Sequence, residues 1–150
     1  MGVITDWLKV ILYSDVGSEL NNWVLLGFRI LLAGELFWVH GLKKLKKDKV
    51  GLESIPNPLG LPPTLNNLIA TVSDTVVPFL VMAGVATRLV VLPVIGVTAI
   101  GYSIVHRHDS PQVKDVPFMY TLCFLLLLLL GAGTRSVDYY FWLLLNRSYY

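Results

Sequence analysis

The stretch that decides the fold is VPFMYTLCFLLLLLLGA, residues 116–132, which carries no charged side chain and includes six consecutive leucines. A helix of about 20 apolar residues covers the roughly 30 Å hydrocarbon core of a bilayer. Three more apolar stretches precede it along the chain, at about 23–42, 64–86 and 89–105. The sequence therefore predicts an all-α fold, an integral membrane four-helix bundle that forms a single domain over residues 1–150.

The composition supports a membrane protein and excludes several other classes. Hydrophobic residues make up 55% of the 150 residues and charged residues only 15%, against about 25% charged in typical soluble domains. The net charge of +2 is too small to indicate a nucleic-acid partner. The single cysteine, Cys123, allows no internal disulfide and no metal-ligand spacing, which excludes the thiol-relay chemistry of four-helix membrane disulfide enzymes.

Both ends of the chain carry amphipathic segments that are too short to span a bilayer. Residues 3–16 include Trp7 and Tyr13, which suit the headgroup region, and the last residues are rich in aromatic side chains: Tyr139, Tyr140, Trp142, Tyr149 and Tyr150. Such segments are typical of helices that lie in the membrane interface. We therefore expect a short interfacial helix at each terminus.

Local signals refine the first two spans. Asn21 or Asn22 can cap the first span, and glycines recur every seven residues along it, at Gly27, Gly34 and Gly41. Such a stripe lets a second helix approach closely, which predicts that the first span packs inside the bundle. Pro78 removes a helical hydrogen bond and predicts a kink near Asp74 in the second span. The short connection after this span predicts an antiparallel hairpin with the third.

Basic residues predict the orientation and a lipid contact. The loops 43–63 and 106–115 hold seven Lys or Arg residues, against four on the side of the termini. The positive-inside rule then places these loops in the cytoplasm and both termini outside. The lysine run of Lys43, Lys44, Lys46 and Lys47 is interpreted as a contact with anionic lipid headgroups.

Four ionisable residues lie within the first two spans, where charge is costly: Arg29, Glu35, His40 and Asp74. Eleven residues separate Arg29 from His40, so both should project from nearly the same face. Glu35 and Asp74 could meet at similar depth and share a proton, or Arg29 could neutralise one of them. These residues form either a polar pocket that binds a quinone or another small polar ligand, or a lattice that fixes helix register.

A second group of polar residues lies at the ends of the bundle. Arg88, Arg135 and Asp138 lie on the side of the termini. Arg135 and Asp138 either pair and close that end of the bundle or remain solvated charges at the membrane interface. His106 and His40 end spans that exit on the opposite side, and could ligate a haem or a metal. Without local spacing this is the weaker interpretation, because histidines also interact favourably with helix C-termini. We therefore predict no metal and no intrinsic cofactor.

The order of these motifs resembles that of the DoxX family. The pattern R-x4-G-x6-G-x-K occupies residues 29–43, Asp74 precedes G-x2-T-R at 84–88, His106 follows the third span, and GAGTRSVD fills residues 131–138. Asp74 stands where the family pattern has a glutamate, which is one carbon longer. The resemblance implies a four-helix bundle in a prokaryotic cytoplasmic membrane. Some family members are subunits of thiosulfate:quinone oxidoreductase, others associate with redox-stress enzymes, and distant relatives are assembly factors.

These observations lead to two main functional hypotheses. The first is a multi-pass inner-membrane subunit of a respiratory-type oxidoreductase complex that contacts quinone, with the redox centres in partner subunits, since the chain has no cofactor motif. Asp74, Glu35 or His40 would then accept the proton released by quinol. The alternative is a non-catalytic structural or assembly subunit. A small transporter is a third reading, weakened by the lack of a detectable inverted repeat.

Overall fold

The computed structural model describes residues 2–45 and 55–147, and every regular element in these two ranges is a helix. Four helical segments are long and apolar enough to cross a membrane, and we call them spans one to four: Glu19–Leu45, Pro63–Ala83, Thr87–Val105 and Pro111–Leu130. In spans three and four, only 11% of the most apolar stretch of each helix is buried inside the protein. Most of the apolar surface of these two helices therefore faces outward, as contact with lipid requires. The predicted all-α fold with four membrane-crossing helices is confirmed.

Span one is longer than predicted and changes its helical type near its end. The hydroxyl of Ser18 accepts a hydrogen bond from the amide of Asn21 and caps the helix, so the predicted cap at Asn21 or Asn22 is wrong. The span is α-helical over Glu19–Leu36, π-helical over Phe37–Gly41 and α-helical again over Leu42–Leu45. A π-helical turn holds an extra residue and so rotates everything after it relative to an uninterrupted α-helix.

The glycines of span one serve different purposes. A β-carbon at Gly41 would overlap the backbone oxygen of Asp74, so glycine at this position allows spans one and two to approach closely. Gly27 and Gly34 have nothing within 4 Å of the position of a β-carbon. Span one therefore packs into the bundle as predicted, but mainly through Leu25, Arg29, Ala33 and Leu36, and of the three glycines only Gly41 makes a close contact with another span.

Span two is broken in the middle, as Pro78 predicted. One α-helix covers Pro63–Thr75 and a second covers Val77–Ala83, with Pro78 in the first turn of the second. The N–H groups in the first turn of a helix have no intrahelical acceptor, so proline, which has no N–H group, removes no hydrogen bond there. The break between the two helices lies at Val76, two residues after Asp74.

A tight connection joins spans two and three into the predicted antiparallel hairpin. Gly84 takes a left-handed conformation with φ 72°, and Ala86 has φ 45°, which is unusual for a residue with a side chain. Span three is α-helical over Thr87–Ile100 and π-helical over Gly101–Val105, and span four is one α-helix, Pro111–Leu130.

Buried apolar side chains from all four spans form one core inside the bundle. Its fully buried members are Leu25, Ala33, Leu36, Val77, Val81, Val91, Val94, Phe124 and Leu127. Spans three and four form the most extensive helix pair. At the end of the bundle where the termini lie, the helices Gly2–Leu12 and Val137–Arg147 touch, and Tyr13 packs against Tyr139 and Trp142. Tyr149 and Tyr150 of the predicted aromatic tail lie outside the described residues.

Candidate functional site

Arg29 is fully buried, and its guanidinium group binds backbone oxygens rather than a carboxylate. Nη1 donates to the oxygen of Ala132 at 2.7 Å, and Nη2 donates to the oxygens of Arg135 at 2.9 Å and Met82 at 3.5 Å. The alternative that Arg29 neutralises Glu35 or Asp74 is therefore wrong. Arg29 instead holds the loop after span four against the end of span two.

Arg88 performs a similar task for two helix ends. Its guanidinium donates to the oxygens of Leu128, Leu129 and Leu130, the last turn of span four. It also donates to the oxygens of Val10, Ile11 and Tyr13, where the N-terminal helix ends. The last carbonyls of a helix lack intrahelical partners and attract a cation. Arg88 thus joins both helix C-termini.

Asp138 is a helix cap supplied from a distant part of the chain. Its carboxylate accepts hydrogen bonds from the amide of Ala86 at 2.6 Å, the residue before span three, and from the amide of Thr87 at 2.9 Å, the first residue of that span. Arg135 pairs instead with Glu19 and lies 4.6 Å from the ring centre of Trp23. The predicted Arg135–Asp138 pair is therefore wrong, although both residues do close this end of the bundle.

A cavity of about 710 Å³ opens at the other end of the bundle. It lies between spans one, two and three and is covered by residues 55–61. Its lining is mainly apolar, from Ile69, Val97 and Ile100 among others, and Gly96 adds open space because nothing lies within 4 Å of its β-carbon position. The polar side chains that line the cavity are His40, Lys44, Asn66, Asp74 and His106.

The strongest electrostatic contact in the cavity joins Lys44 to Asp74. Lys44 Nζ lies 2.5 Å from Asp74 Oδ2 and donates to the oxygen of Ala70 at 2.8 Å. The two side chains are only 21% and 12% exposed. The interpretation of Lys44 as a headgroup contact is therefore wrong, because its ammonium group points into the protein. Lys43 is exposed, and Lys46 and Lys47 lie outside the described residues.

His40 lines the same cavity and contacts a residue that the sequence did not single out. Its ring packs edge to face against Tyr120 of span four, with ring centres 5.7 Å apart. Arg29, predicted to project from nearly the same face, binds the loop after span four instead, and a π-helical segment that includes His40 separates the two residues. The Tyr120 hydroxyl interacts electrostatically with both Glu35 and Asp74. The sequence could have indicated Tyr120, because its hydroxyl group lies within an otherwise apolar span.

Glu35 does not meet Asp74. Its side chain is exposed on the outside of span one, and it forms no ion pair or hydrogen bond with residues 2–45 or 55–147. The predicted face-to-face pair of carboxyl groups is therefore wrong, and Lys44 takes the place expected for Glu35. Of the four intramembrane candidates, His40 and Asp74 share the cavity, whereas Arg29 and Glu35 lie outside it.

His106 lines the loop end of the cavity. Its Nδ1 atom lies 2.6 Å from Asp109 Oδ2, and both side chains are partly exposed. Within the part of the chain that the structure describes, no three His, Cys, Asp or Glu residues are grouped so as to hold a metal ion. The site is thus a largely apolar cavity with an ion pair and two histidines.

Comparisons with known proteins identify one family and one similar protein. The sequence profile described as DoxX matches residues 24–107. An uncharacterized protein of Haemophilus influenzae is 31% identical over 133 residues, which cover 83% of this chain and 85% of that protein. No solved structure matches the chain.

Proposed function

The chain belongs to the DoxX family of multi-pass membrane proteins, often linked to oxidoreductase-related function, and on this premise we propose that its cavity binds the head group of a quinone. The protein would act as an inner-membrane subunit of a respiratory-type oxidoreductase complex. The redox centres would belong to partner subunits, because the apolar cavity offers binding and orientation rather than electron chemistry. The cavity lined by His40, Lys44 and Asp74 is the observation that carries the proposal.

The chemistry of the cavity suits such a ligand. Small-molecule sites are mostly apolar, with a few polar groups that fix orientation. Lys44 spends two of its three N–H groups on Asp74 and the oxygen of Ala70, so one donor is left. His40 forms no hydrogen bond with another described residue, and its ring can donate or accept. A quinone oxygen can bind these groups while its chain lies along Val97 and Ile100.

The charge balance favours a neutral head group. The ammonium of Lys44 and the carboxylate of Asp74 cancel at close range, so the inner wall of the cavity carries no net charge from this pair. An anionic lipid head would have to break the pair or stay uncompensated in a medium of low polarity, which is costly. A quinone is neutral and has a long apolar tail. Asp74 and His40 are then the groups that can take up a proton from the reduced ligand.

The orientation and lipid contacts complete the proposal. We keep the cytoplasmic placement of the loops 43–63 and 106–115, which puts the open end of the cavity on the cytoplasmic side. Lys43, exposed beside that end, suits contact with anionic headgroups.

A pair of glycine substitutions tests the proposal. We would reconstitute the protein in lipid nanodiscs and titrate it with decylubiquinone. Gly96→Leu fills free space inside the cavity, whereas Gly34→Leu adds the same side chain where there is equal space outside it. We expect Gly96→Leu to weaken binding about tenfold or more, which is about 1.4 kcal/mol, and Gly34→Leu to leave binding unchanged. Equal binding by both variants, or no saturable binding by the parent protein, would refute the proposal.

A second candidate function, a structural or assembly subunit, is favoured by the opposite end of the bundle. There Arg29, Arg88 and Asp138 spend their hydrogen bonds on backbone groups, as expected for residues that fix packing. Under this alternative the purified protein would bind no quinone, and its deletion would lower the amount of a partner complex in the membrane. Gly96→Leu would then support assembly as well as the parent sequence does.

A further inference from the structure

Glu35 is an ionisable residue in the middle of the membrane that neither the core nor the quinone site uses. Its side chain is exposed on the outside of span one and has no ion pair or hydrogen bond with any described residue. On span one it lies between Arg29, which reaches Ala132, and His40, which contacts Tyr120. Glu35 is therefore level with the leucine run 125–130 of span four, where an exposed carboxyl group is costly.

An apolar seam on the outside of span one surrounds Glu35. Val24, Phe28 and Leu31 precede Glu35 at the spacing i, i+4, i+7, i+11, all within the α-helical part of the span. At 3.6 residues per turn, these four side chains project within about 30° of a common direction, and Glu35 within about 10° of it. Val24 and Leu31 are 63% and 75% exposed, and Phe28 packs partly against the core. The seam is thus an apolar stripe that carries one acid close to its midline.

The cations that the described part of the chain places inside the spans are bound elsewhere. Arg29 donates to backbone oxygens, and Lys44 pairs with Asp74. Tyr120 lies within electrostatic range of Glu35, but it forms no hydrogen bond with it and its phenol is a neutral group. The group that would neutralise Glu35 is therefore not among the described residues.

We infer that the seam receives a membrane-spanning helix of a partner subunit, and that this helix carries a lysine or arginine at the depth of Glu35. An acid on one apolar face is complementary to a base on another, and the match fixes which helix binds and in which register. Once the helices pack, the two charges neutralise each other instead of facing lipid separately. Val24 and Leu31 supply the packing around the pair.

The proposed partner helix leaves the cavity free. Phe37, whose ring packs on Phe79 of span two, projects about 160° away from Glu35 around span one. The cavity lies between spans one, two and three, whereas the electrostatic contact with Tyr120 places Glu35 on the flank towards span four. A helix on the seam and a ligand in the cavity can therefore be bound at the same time.

A synthetic helix tests the charge complementarity. We would reconstitute the labelled protein in phosphatidylcholine vesicles with a labelled transmembrane peptide of leucine and alanine that has one central lysine, and measure energy transfer. We expect this peptide to bind at least about tenfold more tightly than the same peptide with methionine in place of lysine. Glu35→Gln should remove that preference. Glu19→Gln, which removes a carboxyl group near the start of the same helix, should keep it. Equal binding of the two peptides, or a preference that survives Glu35→Gln, would overturn the proposal.

Cysteine cross-linking shows whether the peptide lies on the seam. In a Cys123→Ala background, Leu31→Cys places a thiol one turn from Glu35, and the lysine peptide carries a cysteine one turn on either side of its lysine. Leu129→Cys is the matched control on span four, where Leu129 is 69% exposed and, as the Arg29–Ala132 hydrogen bond indicates, at similar depth. We expect mild oxidation to link the peptide to most of the Leu31→Cys protein and to little of the control.

The same cross-linking experiment distinguishes the other occupants. Equal linking of the Leu31→Cys and Leu129→Cys variants would mean that the peptide has no preferred face, and would refute the seam. Leu31→Cys protein that forms disulfide-linked dimers in preference to the peptide adduct would make a second copy the occupant and overturn the partner helix. Gly96→Leu should leave the peptide contact unchanged even if it abolishes quinone binding, so the two proposals fail independently.

Discussion

The Lys44–Asp74 ion pair makes a quantitative prediction about stability. Lys44→Met removes the cation and leaves a carboxylate inside the membrane span, and Asp74→Asn removes the carboxylate and leaves the cation. The double variant removes both charges at once. Because the side chains are 21% and 12% exposed, the charge that each single substitution leaves behind is poorly hydrated. The three variants therefore separate the cost of an unpaired charge from the value of the pair.

The expected sizes follow from burial. Removing one partner of a fully buried pair costs about 3–5 kcal/mol. The residual exposure here, and the option of neutralising the remaining group, lower that to about 2 kcal/mol for each single substitution. The double variant leaves no unpaired charge and should cost only about 1 kcal/mol. The coupling between the two sites is then about 3 kcal/mol.

The assay is reversible unfolding of the detergent-solubilised protein by dodecyl sulfate, followed by tryptophan fluorescence. Lys43→Met is the matched control, because Lys43 precedes Lys44 in the same helix but is exposed; it should change the free energy of unfolding by less than about 0.5 kcal/mol. If the double variant costs the sum of the two single ones, the side chains do not act as a pair and our reading of the cavity wall is wrong.

Three further predictions concern the end of the bundle that holds the termini. Asp138→Ala should cost about 2–3 kcal/mol, because two backbone amides at the start of span three lose their acceptor, and Asp138→Asn about half of that; equal losses in a thermal unfolding assay would contradict this. Ala86→Gly should stabilise the protein by about 1 kcal/mol, since glycine adopts the φ of 45° without strain; a lower melting temperature would contradict the strain. The side chain of Asn22, and then the amide of Gly17, lower the pKa of Asp15 from its ordinary 3.8. The stabilising contribution of Asp15 is therefore present above pH 3.8 and lost as the pH falls through the lowered pKa, so Asp15→Asn should flatten the acid side of the melting-temperature profile; an unchanged profile would rule out this linkage.

The sequence predicted the features that depend on local pattern. Hydropathy placed the four spans, because a bilayer demands long apolar helices whatever their packing. Pro78 predicted the break in span two, because the loss of an N–H group disturbs the helix close to the proline itself. The start of span one was misplaced because Ser18, outside the apolar stretch, supplies the cap.

The partners of the charged residues were not predictable in the same way. A helical wheel assumes 3.6 residues per turn, and the π-helical segment Phe37–Gly41 breaks that assumption just before His40 and Lys44. Lys44 resembles a headgroup lysine by position, and only the register between spans one and two brings it to Asp74. Arg29 binds backbone oxygens about 100 residues away, and a carbonyl carries no sequence signature.

The two ends of the bundle differ in how their charged groups use their hydrogen bonds, and this difference supports the loop end as the place of the proposed ligand. At the end with the termini, Arg88 donates to six backbone oxygens, and the carboxylate of Asp138 accepts from two amides. Such groups have little capacity left for another molecule. At the loop end, Lys44 retains a donor and the His40 ring faces a cavity of about 710 Å³ without a hydrogen bond to any described residue. A half-buried donor or acceptor that has no hydrogen-bond partner lowers the stability of the protein. A ligand that bonds there recovers that cost, whereas one at the other end would have to compete with the fold.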